Sequence, residues 1–430
     1  MLEANDQRIP ITRRGVLQLA AAWGVQFALP QESIRGKDVR GKGRPKSFIL
    51  LWMKGGASQL ETWDPHPGTK NGGETRAIGT KIDGVKIASF YPRVAQQLDS
   101  LSVIRSLVSK EGDHERGTYY LKTGYRPDPT LKHPAIGAIA AHEHATLKTE
   151  LGPLKIPPYI SLGPEEFAGR GGYLGETWDA FKLYDPGNSL PNMRSWLAKE
   201  REERRLSNQE VLEKTFRAGR EKQLAKTLHR ETMSKALDMM HSDQIKAFDI
   251  EQESAATRLK YGETVFGRGC LAARRLVETG VLAVEVTLGG WDSHANNHEA
   301  HKENGNILDT AFAALLSDLK ERELFESTVV LCLGEFGRTP RINPLEGRDH
   351  WPSGFSCLIG GGGLRGGVVI GETDPESEKP EPKDPVTIAD LSATVLKQLG
   401  IECSRELITR LGRPLKLSEG NPLERLLPEG

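Results

Sequence analysis

The sequence predicts an α/β fold: a three-layer α/β/α sandwich around a mostly parallel central sheet, with a helical insertion. Three observations predict it. Fully apolar runs of strand length alternate along the chain with segments whose apolar residues recur near the helical period. Strands that are apolar throughout are buried on both faces, as in a parallel sheet with helices on each side. Several of these runs also end in glycine followed by His, Asp or Glu, at the strand ends where open α/β sheets carry ligands.

The elements follow in order. Phe48–Met53 is a continuous apolar run that ends in Lys54-Gly55-Gly56-Ala57-Ser58, a central strand opening onto a loop. Residues 101–108 make a second strand, and residues 115–124 a helix closed by Gly124 with Pro127 after it. Residues 156–162 form a third strand. Residues 193–260 are rich in Glu, Lys, Arg, Leu and Ala and read as two or three solvent-facing helices. The α/β pattern then returns, with a helix over 264–279 and a strand over 281–288. A helix over 306–323 follows, with Ile307, Leu308, Phe312, Leu315, Leu316 and Leu319 at helical spacing. Strands over 328–333 and 355–359, a glycine-rich loop over 360–367 and a helix over 384–399 complete the chain.

Length and charge narrow the function. At about 150 residues per domain, 430 residues suit two or three domains, or one large α/β domain with insertions. Runs of roughly 20 apolar residues, which spanning helices need, do not recur. Lys+Arg and Asp+Glu are each 58, so the basic excess of a general nucleic-acid binder is lacking. Cys270, Cys332, Cys357 and Cys403 are far apart with no CxxC spacing, which argues against a zinc ribbon or a disulfide scaffold. Cys332 and Cys357, in apolar runs, read as buried thiols.

The N-terminus reads as a targeting segment. Thr12-Arg13-Arg14-Gly15 precedes a mild apolar stretch from Val16 to Leu29, the layout of a twin-arginine export signal over residues 1–30, with a polar, basic linker over 31–46. The partners expected from this are the twin-arginine export machinery and no nucleic acid. No membrane span is expected beyond an uncleaved signal anchor, and the location is periplasmic or otherwise extracytoplasmic. A basic first helix of a cytosolic protein is the other reading of this stretch.

Four strand-end loops gather imidazoles and carboxylates: Glu111 to Arg116 with His114, Gly289 to His294 with Asp292 and His294, Gly334 to Pro340 with Glu335 and Arg338, and Gly347 to Trp351 with Asp349 and His350. Each alone also fits a turn or a structural hydrogen bond. Asp64, in Trp63-Asp64-Pro65, is a further acid that equally fits a turn. Together they form a dispersed set of ligands for a divalent ion, with imidazole favouring Zn²⁺ or Mn²⁺ and carboxylate Ca²⁺ or Mg²⁺. Such a centre suits phosphoryl or sulfuryl transfer. The Arg338 fork would fit the oxygens of a tetrahedral anion.

The ordered motifs resemble a known family. These are Gly55-Gly56-Ala57-Ser58, Asp113 to Gly124, Phe266 to Val281, Gly289 to His294, Gly334 to Pro340 and Gly347 to Trp351. The sequence is similar over about residues 47–415 to the bacterial family catalogued as domain of unknown function 1501. That family looks like a divergent branch of the alkaline phosphatase and sulfatase superfamily. The resemblance implies an alkaline phosphatase-like domain over 47–430 with the insertion at about 193–260, and a metal-dependent site at the strand ends. It places His114 on the sulfatase nucleophile position and Thr118 on its arginine position. It also implies that Asp292, with His294 or His298, Glu335 and His350 stand for metal ligands. The sequence departs from the superfamily at Lys54, where a metal-binding aspartate is usual, and at Phe336, which replaces a ligand histidine. His114 replaces the cysteine or serine from which formylglycine is made.

The function expected is an exported metal-dependent hydrolase acting on a small-molecule or polysaccharide ester of phosphate or sulfate. Asp292, His294, Glu335, Asp349, His350 and Asp64 are the candidate metal ligands, and His114, Ser58, Thr118 and Arg338 the candidate catalytic residues. The alternative is a non-catalytic scaffold or binding protein of the cell envelope, with 193–260 as its contact surface. A serine esterase would lack its G-x-S-x-G elbow.

Overall fold

The computed structural model describes residues 47–144, 153–188, 197–220, 227–374, 381–409 and 412–428, together with 190, 376 and 379. The expected signal and linker, 1–46, lie outside them. Nine strands make the main sheet. In chain order they are β1 (Ser47–Met53), β2 (Leu101–Val108), β3 (Tyr159–Leu162), β4 (Phe181–Leu183), β5 (Ala283–Leu288), β6 (Thr328–Leu333), β7 (Phe355–Gly361), β8 (Val369–Ile370) and β9 (Val386–Thr387). The order across the sheet is β8-β2-β7-β6-β1-β5-β3-β4, with β9 also pairing β2.

β1 lies at the centre, parallel to β5 on one side and β6 on the other. β3 runs parallel to β4 and β5. β7 is antiparallel to both β2 and β6, which makes β2 parallel to β1. Hence β1, β2, β5 and β6 all end at one edge of the sheet, and β7 begins at that same edge. Loops from five strands meet there.

The full apolarity of β1 follows from burial on both faces. Ile49, Leu51 and Met53 join one core with the helices α5 (Val265–Thr279) and α6 (Asn297–Glu321), through residues such as Leu271, Leu308 and Phe312. Phe48, Leu50 and Trp52 join a second core with α1 (His114–Thr123), α2 (Ile136–His144) and α7 (Ile388–Gln398), through Leu121, Ile139 and Leu391. One strand whose alternate residues feed two cores is the signature of three layers. The sheet is mixed and mostly parallel, as expected.

The boundaries differ where local chemistry intervenes. β3 starts at Tyr159 rather than residue 156, because Pro157 and Pro158 cannot donate to a ladder. The helix expected from 306 begins at Asn297. Its first turns bury Asn297, His301 and Gly305 rather than apolar residues, so periodicity does not reveal them. The last helix starts at Ile388, capped by the Thr387 hydroxyl accepting from the Asp390 amide. In the insertion, α3 (Lys199–Arg217) and α4 (His229–Met240) form, followed by a short helix over Ala255–Tyr261. The side chains of α3 are mostly exposed, including Val211, Leu212 and Phe216. All four cysteines are buried and unpaired.

Candidate metal centre

His114 opens α1, whose N-cap Asp113 accepts the Arg116 amide at 3.0 Å. Asp292 and His294 sit in the loop after β5, Glu335 and Arg338 in the loop after β6, and Asp349 and His350 just ahead of β7. These loops bring Asp292 to within 3.3 Å of the Nε2 of His114, 3.1 Å of the Nε2 of His294 and 3.3 Å of the Nε2 of His350. His114, Asp292 and His350 offer one donor atom each, all within 4.8 Å of one another.

The far nitrogens explain why those faces converge. The Nδ1 of His114 lies 2.7 Å from Glu335, that of His294 2.9 Å from Asp349, and that of His350 2.7 Å from the Gly112 carbonyl. Carboxylates and carbonyls accept but do not donate, so each Nδ1 carries its hydrogen and each Nε2 presents a lone pair in the neutral ring. A histidine anchored at one nitrogen by a carboxylate or carbonyl is the usual arrangement around a bound metal.

Two features show that a cation fits these residues. The Nε2 atoms of His294 and His350 face each other at 3.1 Å, an unfavourable approach of two lone pairs that a shared proton or cation relieves. In addition, Glu335 is 1% exposed and its Oε2 has no hydrogen-bond partner, which is costly for a buried carboxylate oxygen unless positive charge is near.

Electrostatics follow the geometry. Burial opposes the charge on Asp292, yet Arg338 and the neighbouring imidazoles outweigh it and bring its pKa down to about 2. The hydrogen bond to Glu335 raises the pKa of His114. Burial lowers that of His350, favouring the neutral ring. The hydrogen bond from His294 lowers that of Asp349.

Several expected residues stand elsewhere. Asp64 is not in the cluster: Thr373 donates to its Oδ2 at 2.8 Å from the amide and 2.7 Å from the hydroxyl, and Arg105 lies 3.3 Å from its Oδ1. Both of its oxygens are therefore used in tying loops together. Ser58 is fully buried, and its hydroxyl accepts the Leu60 amide at 3.3 Å within its own loop. Thr118 is buried one helical turn beyond His114.

Glu335 stands behind His114 instead of joining the three-donor group. Its Oε1 accepts from the Gly55 amide at 2.9 Å and the His114 Nδ1 at 2.7 Å. Arg338 does not offer a free fork either. Its guanidinium donates to the Gly56 carbonyl at 2.8 Å, to the Arg348 carbonyl at 3.1 Å, to the Gly55 carbonyl and to Asp292 at 2.7 Å.

The supports of the site carry little signal in the sequence. Asn343 donates to the His294 carbonyl at 3.0 Å and lies 3.4 Å from Asp349; an isolated asparagine in a loop gives no signal. Arg348, inside the Gly347 to Trp351 motif, forms a buried pair with Glu61 at 2.7 Å. Phe336 is fully buried, with its ring 5.1 Å from that of His114 and 4.4 Å from that of His350. It forms a wall against both imidazoles.

The model of the family described as "Protein of unknown function (DUF1501)" matches residues 45–427. The chain belongs to this family. A search of curated proteins finds no match.

Solved structures similar to this DUF1501 chain include a protein in the alkaline phosphatase superfamily from Vibrio parahaemolyticus, at 12% identity, 90% of this chain, 72% of that one and TM-score 0.37. Another is the C-terminal periplasmic domain of EcEptC from Escherichia coli in complex with Zn, at 10% identity, 90% of this chain, 93% of that one and TM-score 0.41. A third is the PsFucS1 sulfatase from Pseudoalteromonas sp., at 12% identity, 84% of this chain, 68% of that one and TM-score 0.39. Among the described residues, no helix of the DUF1501 chain is long and apolar enough to cross a membrane.

Proposed function

We propose that the chain is a metal-dependent hydrolase of phosphate or sulfate esters, exported by the twin-arginine route to the periplasm or beyond. The observation that carries this reading is the convergence of three imidazole Nε2 atoms on Asp292, each ring held at Nδ1 by an acceptor. His114, Asp292 and His350 would hold the cation, with His294 beside them. A nitrogen-rich set with one carboxylate favours Zn²⁺ or Mn²⁺ over Ca²⁺ or Mg²⁺. Such an ion, when bound, polarises an ester oxygen and acidifies water.

The chain's own residues do the rest. Glu335, Asp349 and the Gly112 carbonyl fix the tautomers. Arg338 keeps Asp292 ionised and joins the Gly55 loop to the loop after β5. Phe336 excludes water from one side of the imidazoles. Asp292 and His294 are about half exposed, so the site is open to a small-molecule or polysaccharide ester. The pair Arg13-Arg14 ahead of the apolar stretch 16–29 supports export.

Protein purified without chelator is expected to carry a divalent ion. It is also expected to hydrolyse at least one of a panel of aryl phosphate, phosphodiester and sulfate esters with Zn²⁺ or Mn²⁺ added. His350→Ala is expected to lose both properties. A metal-free wild type that stays inert with every ion and ester would sink the hydrolase. The scaffold reading would then stand. It is favoured by Lys54 at the end of β1 and by the exposed Val211, Leu212 and Phe216 of α3.

A further inference from the structure

Metal-assisted phosphoryl and sulfuryl transfer often uses two cations a few ångströms apart. Here the position beside Asp292 that a second cation would need is already filled. The Nη2 of Arg338 lies 2.7 Å from Asp292 Oδ1. Arg338 is fully buried, and its Nε and Nη1 are tied to the carbonyls of Gly56 and Arg348 at 2.8 and 3.1 Å. With donors on three edges committed to backbone, the guanidinium cannot swing aside to admit an ion. Phe336, also fully buried, flanks it, with the guanidinium carbon 5.9 Å from the ring centre. Among the described residues a single three-donor group forms.

We infer that this site holds one divalent cation, with the Arg338 guanidinium as its permanent second positive charge, and that it therefore takes monoanionic tetrahedral esters in preference to dianionic ones. The inference rests on the metal-site reading above. Arg338 cancels Asp292, and a divalent ion is then balanced by Glu335 and Asp349, so the loaded site has no surplus positive charge.

Neighbouring cations are committed as well. Lys54 lies 3.6 Å from Glu166. Arg116 and Arg126 share Glu111 at 2.6 and 2.7 Å, with Asp113 and Glu115 on the same turn. Bringing a second negative charge into such a place costs Coulomb energy that these already paired cations do not repay. Sulfate monoesters and phosphodiesters share the single charge, whereas a phosphomonoester carries two at alkaline pH.

Equilibrium dialysis of the whole chain against Zn²⁺, with the bound metal counted by mass spectrometry, reads the first half. One tightly bound Zn²⁺ per chain, lost in Asp292→Asn, is expected. Two would overturn the inference while leaving the metal-site reading intact. None would overturn that reading itself. Calorimetry on the Zn²⁺-loaded protein at alkaline pH reads the second half, using methyl phenylphosphonate as monoanion and phenylphosphonate as dianion. The monoanion is expected to bind several-fold more tightly, and tighter binding of the dianion overturns the preference. If the monoanion prevails, 4-nitrophenyl sulfate and bis(4-nitrophenyl) phosphate then separate sulfate monoesters from phosphodiesters as substrates.

Discussion

At the scale of single residues, groups of the same type do different work. His114, His294 and His350 face Asp292, while His301 is a buried structural histidine. Its Nε2 accepts the Ser58 amide at 2.8 Å and its Nδ1 lies 2.9 Å from the Asn297 carbonyl. Burial lowers its pKa from 6.5 to about 4. Below pH 6.5 the unfolded chain takes up a proton that the folded chain refuses until about pH 4. The contribution of His301 is thus complete above 6.5 and lost as pH falls through that window. Urea titrations are expected to show a loss of about 3 kcal/mol across it that His301→Gln largely removes; an equal loss in the variant would contradict the assignment. The sequence exposed the residue types of the centre but not their division of labour. Glu335 reads as a ligand from its loop, yet the chain path turns it behind His114. Asp64 reads the same way, yet Arg105 and Thr373 claim it.

At the scale of elements, the centre depends on how loops and helices are tied to the sheet. Gly55 has φ +117°, and a Cβ there would meet the Asp292 amide nitrogen at 2.4 Å. Gly55→Ala is therefore expected to cost more than about 2 kcal/mol and to abolish tight Zn²⁺ binding, with unfolding and dialysis as the two measurements. Lower on the same helix as His114, Lys122 is 3% exposed. It holds Glu165 at 3.2 Å and Glu285 at 3.0 Å, with Tyr159 donating to Glu285 as well. It binds α1 to β5, the two elements that bring His114 and Asp292 together. Lys122→Met leaves two buried carboxylates without their cation and is expected to cost about 3–5 kcal/mol in denaturant unfolding; a loss below about 1 kcal/mol would show the cluster to be incidental. Strands β1 and β6 are legible because burial on both faces leaves an apolar run unbroken after the first residue. The first turns of α6 are not, because they bury His301 and Asn297, and β4 is not, because two half-buried residues around an exposed Lys182 are too short a pattern.

At the scale of the whole molecule, the topology explains why residues far apart in the chain, such as His114 and His350, meet with their ring centres 4.5 Å apart. β1, β2, β5 and β6 end at one edge and the antiparallel β7 starts there, so the five loops that carry the centre share one corner. Sequence alternation gave the three layers, but not the reversed direction of β7, which no local pattern encodes. The insertion stands apart in character: α3 exposes most of its side chains, Lys and Arg among them. Limited trypsin digestion is expected to cut first within 199–220 and to leave bound Zn²⁺ in place; early cuts in the strand-end loops would contradict that division.

The claim that His114, His350 and Asp292 hold one ion, with His294 beside them, is tested most directly by X-ray absorption at the zinc edge of the loaded protein. The expected result is a first shell at about 2.0–2.1 Å with the outer-shell scattering of two or three imidazole rings. A shell of oxygens alone, without imidazole scattering, would contradict it.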